Sequence, residues 1–413
     1  MLLVNSIKQK KWTIIFFLAA IVNSYIESFG KSDFTIYLMA SKNIFNNINP
    51  YSVSYIDGYY YYYSLFFATI IYPFLLLPFF WSSFIWLLFN SILLYFIIKK
   101  TGELLSIHFL SKSKQVLFYI ILLLFSARLI RENYHSGQVT ILILFLSLYG
   151  LDRIFNYKNI LIGSLFIALA INIKLLPIVI LPYLLYRKEW RAFVVITLFT
   201  SVLYLAPVLW MGNLFYSDCM HTWYGLINPI NQKHLLDVEE RSFHGLGTLI
   251  TTLLIKSTGE PYILSIKRNI ADVSAPTIIS IIWIVKMIFI LSFIGILRTK
   301  PFVKLYTTKP LLMEWSYLMG LIPLIFPHQQ HYAFLFLIPA LSLVIYFFLQ
   351  EEKYSIVFII TLLFVFLCIN LKLLLGAFND YYDHFKILTY GGIVLLVLLQ
   401  ILNSKNFSNK NNS

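Results

Sequence analysis

The 413 residues are 59% hydrophobic and only 12% charged, with a mean hydropathy of +0.78. So much apolar surface excludes a soluble domain, and the long unbroken apolar runs exclude a strand barrel, whose strands alternate; the predicted class is an all-α, polytopic membrane protein, because helices satisfy their own backbone in lipid. The net charge of +14 reads as the Lys and Arg excess on the cytoplasmic side of a multi-spanning chain, not as a nucleic-acid surface, and Cys219 and Cys368 supply no disulfide framework.

A crossing needs about 20 apolar residues, so the chain has room for about a dozen. The run from Trp12 to Phe29 has no small-residue cleavage site after it and is read as a retained first helix. Lys8, Lys10 and Lys11 precede it, which puts the N-terminus in the cytoplasm and Asp33 outside. The loop with Lys99, Lys100, Lys112 and Lys114 is inside by the same rule. Of the two apolar stretches between Ser64 and Ile98, only one can then cross. Ser64 to Phe80, broken by Pro73 and Pro78, is the one expected to lie along the outer leaflet, leaving helix two at Trp81 to Ile98.

Helix three is predicted over Gln115 to Leu129, with an outer turn from Arg131 to Gln138, and helix four returns to Asp152-Arg153. Helices five and six pair around Asn172-Ile173-Lys174, and Arg187 to Arg191 is a cytoplasmic turn. Helix seven exits near Trp210. A long outer segment, residues 211–275, precedes helix eight, the basic loop from Arg298 to Lys309, and helices nine and ten, which flank Pro327 to His331 outside. Helix eleven follows Lys353, and helix twelve ends before a polar cytoplasmic tail, 404–413. This gives 12 crossings in a single integral-membrane domain, 1–403, with an outer loop and juxtamembrane segment at 30–80. The proposed cytoplasmic loops and tails hold 19 of the 32 Lys and Arg residues.

Polar residues then gather on the outer side: Asp33, Asn49, Arg128, Arg131, His135, Gln138, Lys174, His244, His328 and His331. Ionisable groups near membrane depth are costly and mark function. Asp33 is the candidate base, although Asp also caps helices. Lys174, Arg128 and Arg131 are the candidate anion ligands, the arginines also being able to snorkel. His328 and His331 stand one turn apart; a metal pair is one reading, and contact with a substrate is favoured. Lys286 and Lys372 are expected mid-helix. The run Tyr59 to Tyr63 and Trp81, Trp86, Trp190, Trp210 and Trp223 are read as interfacial anchors. There is no phosphate-binding glycine loop or nucleophile elbow, so no soluble nucleotide cofactor is expected.

Several of these residues fall into one order. Asp33-Phe34 with Tyr37 follows the first helix. Then come Asn49-Pro50-Tyr51, Tyr72-Pro73 through Pro78, Trp86, Gly137-Gln138-Val139-Thr140, Lys174 with Pro177, Trp190-Arg191, and His331 with Pro339. From about Ser32 to Ala340 the chain resembles glycosyltransferase family 87, whose members are polyprenol-phosphate-mannose-dependent mannosyltransferases of the GT-C fold. It departs at Thr140, where the family has Asn, at Phe74 of Tyr-Pro-Phe, and at Arg241 to Leu246, where the family has an Asn-Gln-Ser-Leu stretch.

The resemblance implies inverting transfer of a sugar, mannose first, from a polyprenyl-phosphate donor to a glycolipid or glycan acceptor on the outer face of the cytoplasmic membrane. Asp33 would be the base; Lys174, Arg128, Arg131, His331, His328, Gln138, Tyr37, Asn49 and His244 would hold substrate; no metal and no cofactor would be needed. A lipid-linked glycan flippase, and a polymerase or ligase using a lipid-diphosphate donor, remain as alternatives. The outer loop and Ser64 to Phe80 are expected to cover the outer ends of helices three, six and ten and bring Asp33, Lys174 and His331 to one cavity.

Overall fold

The computed structural model describes residues 2–228, 231, 235–236, 242–255, 264, 266–297, 301–303, 308–350 and 355–411. The described residues are almost all helical, with two isolated bridges, Phe243 to Gln330 and Ile255 to Val273, and no strands. A helix stands at each of the twelve positions expected to cross. Among the described residues seven are long and apolar enough to do so by length and composition, and others, such as Ile160–Ile173 and Leu176–Tyr186, are shorter apolar segments. The chain is a multi-pass membrane protein.

In chain order, α1 (Leu2–Glu27) is followed by α2 (Asp33–Phe45), α3 (Leu65–Ile71) and α4 (Phe79–Leu104). The Ser64 hydroxyl caps α3, accepting from the Phe67 N–H at 3.1 Å, and Pro73 turns its end into a 3-10 helix, Tyr72–Leu76. Leu65–Leu76 would rise about 20 Å at 1.5 to 2.0 Å per residue, short of the hydrocarbon core of about 30 Å. Next come α5 (Lys112–His135), α6 (Thr140–Phe155), α7 (Ile160–Ile173), α8 (Ile180–Tyr186) and α9 (Trp190–Leu205). Helices α6 and α7 pack closely where Gly150 meets Gly163; a Cβ on Gly163 would stand 2.7 Å from the Gly150 carbonyl. Small residues permit such approach between membrane helices.

The segment after α9 contributes α10 (Asn213–Ile227) and α11 (Leu246–Leu254), and the chain continues through α12 (Ala275–Leu297), α13 (Thr308–Ile325), α14 (Ile338–Gln350), α15 (Ile356–Asn370) and α16 (Ile387–Asn411). The stretch His331–Gln350 is the centre of the bundle, 89% buried, whereas Trp190–Met211 and Ala275–Leu297 are 17% buried and form the rim.

Several expectations need correction. Helix α5 runs six residues past Leu129, so the expected outer turn is largely its last turns. Helix α16 continues to Asn411, through most of the expected polar tail. Lys372 is not mid-helix but in a 3-10 turn, Leu371–Leu373, after α15. Trp86 and Trp223 are buried because each indole N–H has a carbonyl inside: Trp86 donates to Gly137 at 2.9 Å and Trp223 to Tyr62 at 3.2 Å. The tyrosine run is not a belt; Tyr61 and Tyr63 are buried while Tyr60 is exposed, the alternation of an extended segment.

Charged networks mark the end of the bundle opposite Asp33. Arg187 and Glu314, both buried, form an ion pair, Tyr183 donates to Glu314 at 2.8 Å, and Arg187 donates to the Leu297 carbonyl at 3.2 Å. Lys100 and Asp152 pair at 3.1 Å. These clamps tie the ends of α8, α12 and α13, and of α4 and α6.

Candidate active site

At the other end, the start of α2 is fixed to the end of α5. The Asp33 N–H donates to the Ser136 carbonyl at 3.1 Å, and the Thr35 hydroxyl accepts from the Ser32 N–H at 3.2 Å. Gly137 makes this contact feasible. Its φ is +57°, and a Cβ there would meet the Ser32 Oγ at 2.5 Å, so only glycine fits.

That turn aims Gln138 at Asp33. The Gln138 amide donates to the Asp33 carboxylate, while its carbonyl oxygen accepts from Tyr37 at 3.3 Å and Tyr63 at 3.2 Å. The Tyr37 and Tyr63 hydroxyl oxygens lie 3.0 Å apart. Lys174, in extended conformation just past α7, holds its ammonium 5.4 Å from the Tyr63 ring and 5.8 Å from the Tyr332 ring. Burial pushes the Asp33 carboxyl up from 3.8 to about 6, against the Gln138 bond and the Lys174 charge. Burial likewise lowers the Lys174 ammonium from 10.5 to about 8, opposed by Asp33. The two groups are close enough to feel each other, and both titrate near neutral pH.

Beside Tyr332 stands a second group. His331 Nε2 is 3.0 Å from an Asp383 oxygen, His244 Nε2 is 3.5 Å from the same oxygen, and the Lys372 ammonium donates to the other at 2.6 Å. The His244 and His331 rings lie 4.6 Å apart. Arg128, fully buried, stacks its guanidinium 4.4 Å from the Tyr382 ring centre and donates to the Ile369 carbonyl at 3.2 Å; among the described residues its Nε and Nη2 have no hydrogen-bond partner, and the Nε forms an ion pair with Glu132 at 3.6 Å. Burial raises the Asp383 carboxyl, but the His244 and His331 bonds outweigh it and hold the carboxyl well below the usual range. Burial drives His244 well below its ordinary value.

His244, His331 and Asp383 present donor atoms within 4.8 Å of one another, a set that could hold a metal ion. Lys372 on the same carboxylate and Arg128 close by add two positive charges. The carboxylates of Asp383 and of Glu132, 3.6 Å from the Arg128 Nε, balance those charges, and the Lys372 ammonium competes with a metal ion for Asp383.

Of the residues expected from sequence, Asp33, Tyr37, Gln138 and Lys174 therefore form one constellation, and Arg128, His244 and His331 form its neighbour. His328 lies at the edge, in left-handed backbone at φ 54°, its ring 5.0 Å from Phe243 and 6.2 Å from Tyr62. Arg131 and Asn49 are not brought in. Arg131 is exposed, because it falls seven residues after Leu124 on the outward stripe of α5. Asn49 ties the loop after α2 to α10, donating to Asp218 at 2.7 Å and Thr222 at 3.0 Å. His135, also exposed, pairs with Glu27 at 3.1 Å.

Sequence reasoning missed Tyr63, Tyr332, Lys372 and Asp383. Asp383 had a signal, since Asn379-Asp380-Tyr381-Tyr382-Asp383-His384 is a polar island between two apolar helices on the side of His331.

A polytopic helical membrane protein thus gathers an acid, an ammonium and two histidines on a second carboxylate at one end of its bundle. The profile of glycosyltransferase family 87 matches residues 61–305, more than half of the chain, and the chain belongs to that family. It is a glycosyltransferase. No curated protein matches it significantly. The matched stretch holds Arg128, Gln138, Lys174 and His244, while Asp33, His331 and Asp383 lie outside it.

Proposed function

We propose that the protein is an inverting GT-C glycosyltransferase, transferring a sugar, mannose in the first instance, from a polyprenyl-phosphate donor to a lipid-linked or glycan acceptor on the outer face of the cytoplasmic membrane. The observation that carries this reading is the Asp33–Gln138–Lys174 arrangement. A carboxylate whose proton affinity lies near neutral pH is matched to general-base work, and an ammonium stands within its field.

In the proposed step Asp33 takes the proton of the acceptor hydroxyl. The acceptor oxygen attacks the anomeric carbon from the face opposite the phosphate. The carbon–oxygen bond to phosphate breaks, and the polyprenyl phosphate leaves with the electron pair. The donor phosphodiester thus gains negative charge. Lys174 and Arg128 are the cations that would stabilise it, and oriented charges of this kind act most strongly where water is excluded. His331, braced by Asp383, would orient the sugar or phosphate, and Gln138 holds the base with Tyr37 and Tyr63 behind it. No step requires a metal.

The test is transfer from polyprenyl-phosphate mannose by purified Asp33→Asn. Base assistance is worth about 10²–10⁴-fold, so turnover should fall within that range. Near wild-type turnover in a folded variant would refute the role. Release of polyprenyl phosphate supports this reading, release of the diphosphate points to the polymerase or ligase chemistry, and lipid movement without bond cleavage points to a flippase.

A further inference from the structure

Lys174 differs from Lys372 and Lys100 in how its charge is held. The Lys372 ammonium donates to Asp383 at 2.6 Å, and Lys100 pairs with Asp152 and with Glu103, each at 3.1 Å. Among the described residues the Lys174 ammonium makes no hydrogen bond or ion pair and faces two rings, Tyr63 at 5.4 Å and Tyr332 at 5.8 Å. Both tyrosines are buried. An ammonium is attracted to an aromatic face within about 6 Å, and more strongly where water is excluded.

Hydrogen bonds from neighbouring elements place the two rings. The Ser64 hydroxyl donates to the Asn172 side-chain oxygen at 2.9 Å. That bond fixes the residue after Tyr63 to the end of α7, two residues before Lys174. The Tyr63 hydroxyl donates to Gln138 at 3.2 Å, which pins the tip of its ring. On the other side the Asn133 side-chain amide donates to the Tyr332 carbonyl at 3.0 Å, and the Asn133 carbonyl accepts from the Gln138 N–H at 2.9 Å. One buried asparagine thus joins the turn that carries Gln138 to the segment that carries Tyr332.

A ring face and a carboxylate leave a lysine in different states. A carboxylate would occupy one or more of the three ammonium N–H donors and offset the charge that attracts an anion. A ring face stabilises the charge through its quadrupole and supplies no oxygen acceptor. The donors then remain available to a ligand oxygen, and charge-assisted bonds to phosphate are among the strong ones. We propose that Tyr63 and Tyr332 are positioning residues whose rings cradle the Lys174 ammonium and hold it charged and unpaired for the phosphate of the donor. This role presupposes the polyprenyl-phosphate donor proposed above.

The experiment measures binding, because Tyr63 also touches Gln138 and turnover would mix two effects. Farnesyl phosphate, and farnesol with the same chain and no charge, are added separately to the full-length protein in phosphatidylcholine nanodiscs, and affinities are read by native mass spectrometry. Wild type should bind farnesyl phosphate more tightly than farnesol. Tyr63→Leu and Tyr332→Leu should each lose about tenfold in farnesyl phosphate affinity, with farnesol unchanged. Tyr63→Phe and Tyr332→Phe keep the ring and should stay within about twofold of wild type. In a Lys174→Met background the leucine changes should have no further effect, since the coupling is with the ammonium. An equal loss of farnesol affinity, or the same loss with and without Lys174, would show packing alone and overturn the cradle. Should the leucine variants not fold, fluorinated phenylalanines in place of Tyr63 and Tyr332 keep the ring and draw charge from its face. Affinity for farnesyl phosphate should then fall with each added fluorine, and a flat series overturns the cradle. Wild-type binding of farnesyl phosphate no tighter than of farnesol would remove the polyprenyl-phosphate donor and the cradle together. Selective wild-type binding, with leucine variants equal to wild type, would remove the cradle alone.

Discussion

Replacing Asp33 by Asn should cost activity and gain stability, because one burial causes both. The carboxyl is moved from 3.8 to about 6 by burial, net of the Gln138 bond and the Lys174 charge. Each unit is about 1.36 kcal/mol, so holding Asp33 ionised above pH 6 costs at most about 3 kcal/mol by that conversion. The side chain is partly exposed, and solvent screening reduces the figure to about 1–2 kcal/mol. Asn keeps the shape and an oxygen for Gln138 without the charge. The sign follows from linkage: a carboxyl with a raised folded value adds stability when protonated, fully below pH 3.8, and loses it as pH rises through about 6. Asp33→Asn should therefore unfold at a higher temperature than wild type at pH 7.5, and the gap should shrink between pH 6 and 4 and close below that. Parallel thermal unfolding of both proteins from pH 4 to 8, with the transfer assay at pH 7.5, measures it. A variant less stable than wild type at pH 7.5, or a gap that does not change with pH, would refute the claim that burial tunes this carboxyl.

The pH–rate profile should rise as Asp33 ionises through about 6 and fall as Lys174 deprotonates through about 8; Lys174→Arg should remove the alkaline limb, as initial rates from pH 5 to 10 would reveal. Gly137→Ala should destabilise the protein by about 1–3 kcal/mol and lower turnover, since its φ of +57° and the Ser32 contact both resist a Cβ; chemical unfolding and the transfer assay check this. Arg187→Ala should cost about 3–5 kcal/mol by stranding Glu314, whereas the double change Arg187→Met with Glu314→Leu should be close to neutral; unfolding of the three proteins separates the cases. A chelator should leave transfer unchanged, because the Lys372 ammonium already holds the Asp383 carboxylate; loss of activity restored by added zinc would assign His244, His331 and Asp383 to a metal.

What the sequence revealed and what it hid divide along one physical line. Helix positions were legible because lipid demands long apolar runs, and Ser64, Asn159 and Ser355 stand at helix starts as side-chain caps. The break at Pro73 and Pro78 was legible because proline removes a backbone donor. Helix ends were not: α5 continues through Arg131-Glu132-Asn133, since a polar stretch can extend a helix into water as readily as end it. Asp33, Gln138, Lys174 and His331 stood out because an ionisable or amide group beside lipid has few idle explanations. Tyr63 and Tyr332 did not, because a tyrosine at headgroup level is commonplace and only the packed structure distinguishes the two that meet Lys174.

The two polar groups at this end of the bundle divide the work by charge. Around Asp33 the partners are neutral, Gln138, Tyr37 and Tyr63, apart from one ammonium, so the carboxyl keeps a proton affinity near neutral pH and can exchange a proton. Around Asp383 the partners are two histidines and Lys372, with Arg128 close by. That carboxylate is held ionised and can brace side chains but cannot act as a base. Two carboxylates in one fold are thus separated in role by their neighbours alone. On the proposed mechanism this separation favours Asp33 as the proton acceptor and leaves Asp383 to brace the side chains around it. Exchanging the two environments, by Gln138→Lys beside Asp33 and Lys372→Gln beside Asp383, should depress the first carboxyl and release the second. The acid limb of the pH–rate profile should then move below its wild-type position near 6 as Asp33 loses proton affinity. An acid limb that stays where it was would show that Asp33 is not the group whose ionisation the rate reports.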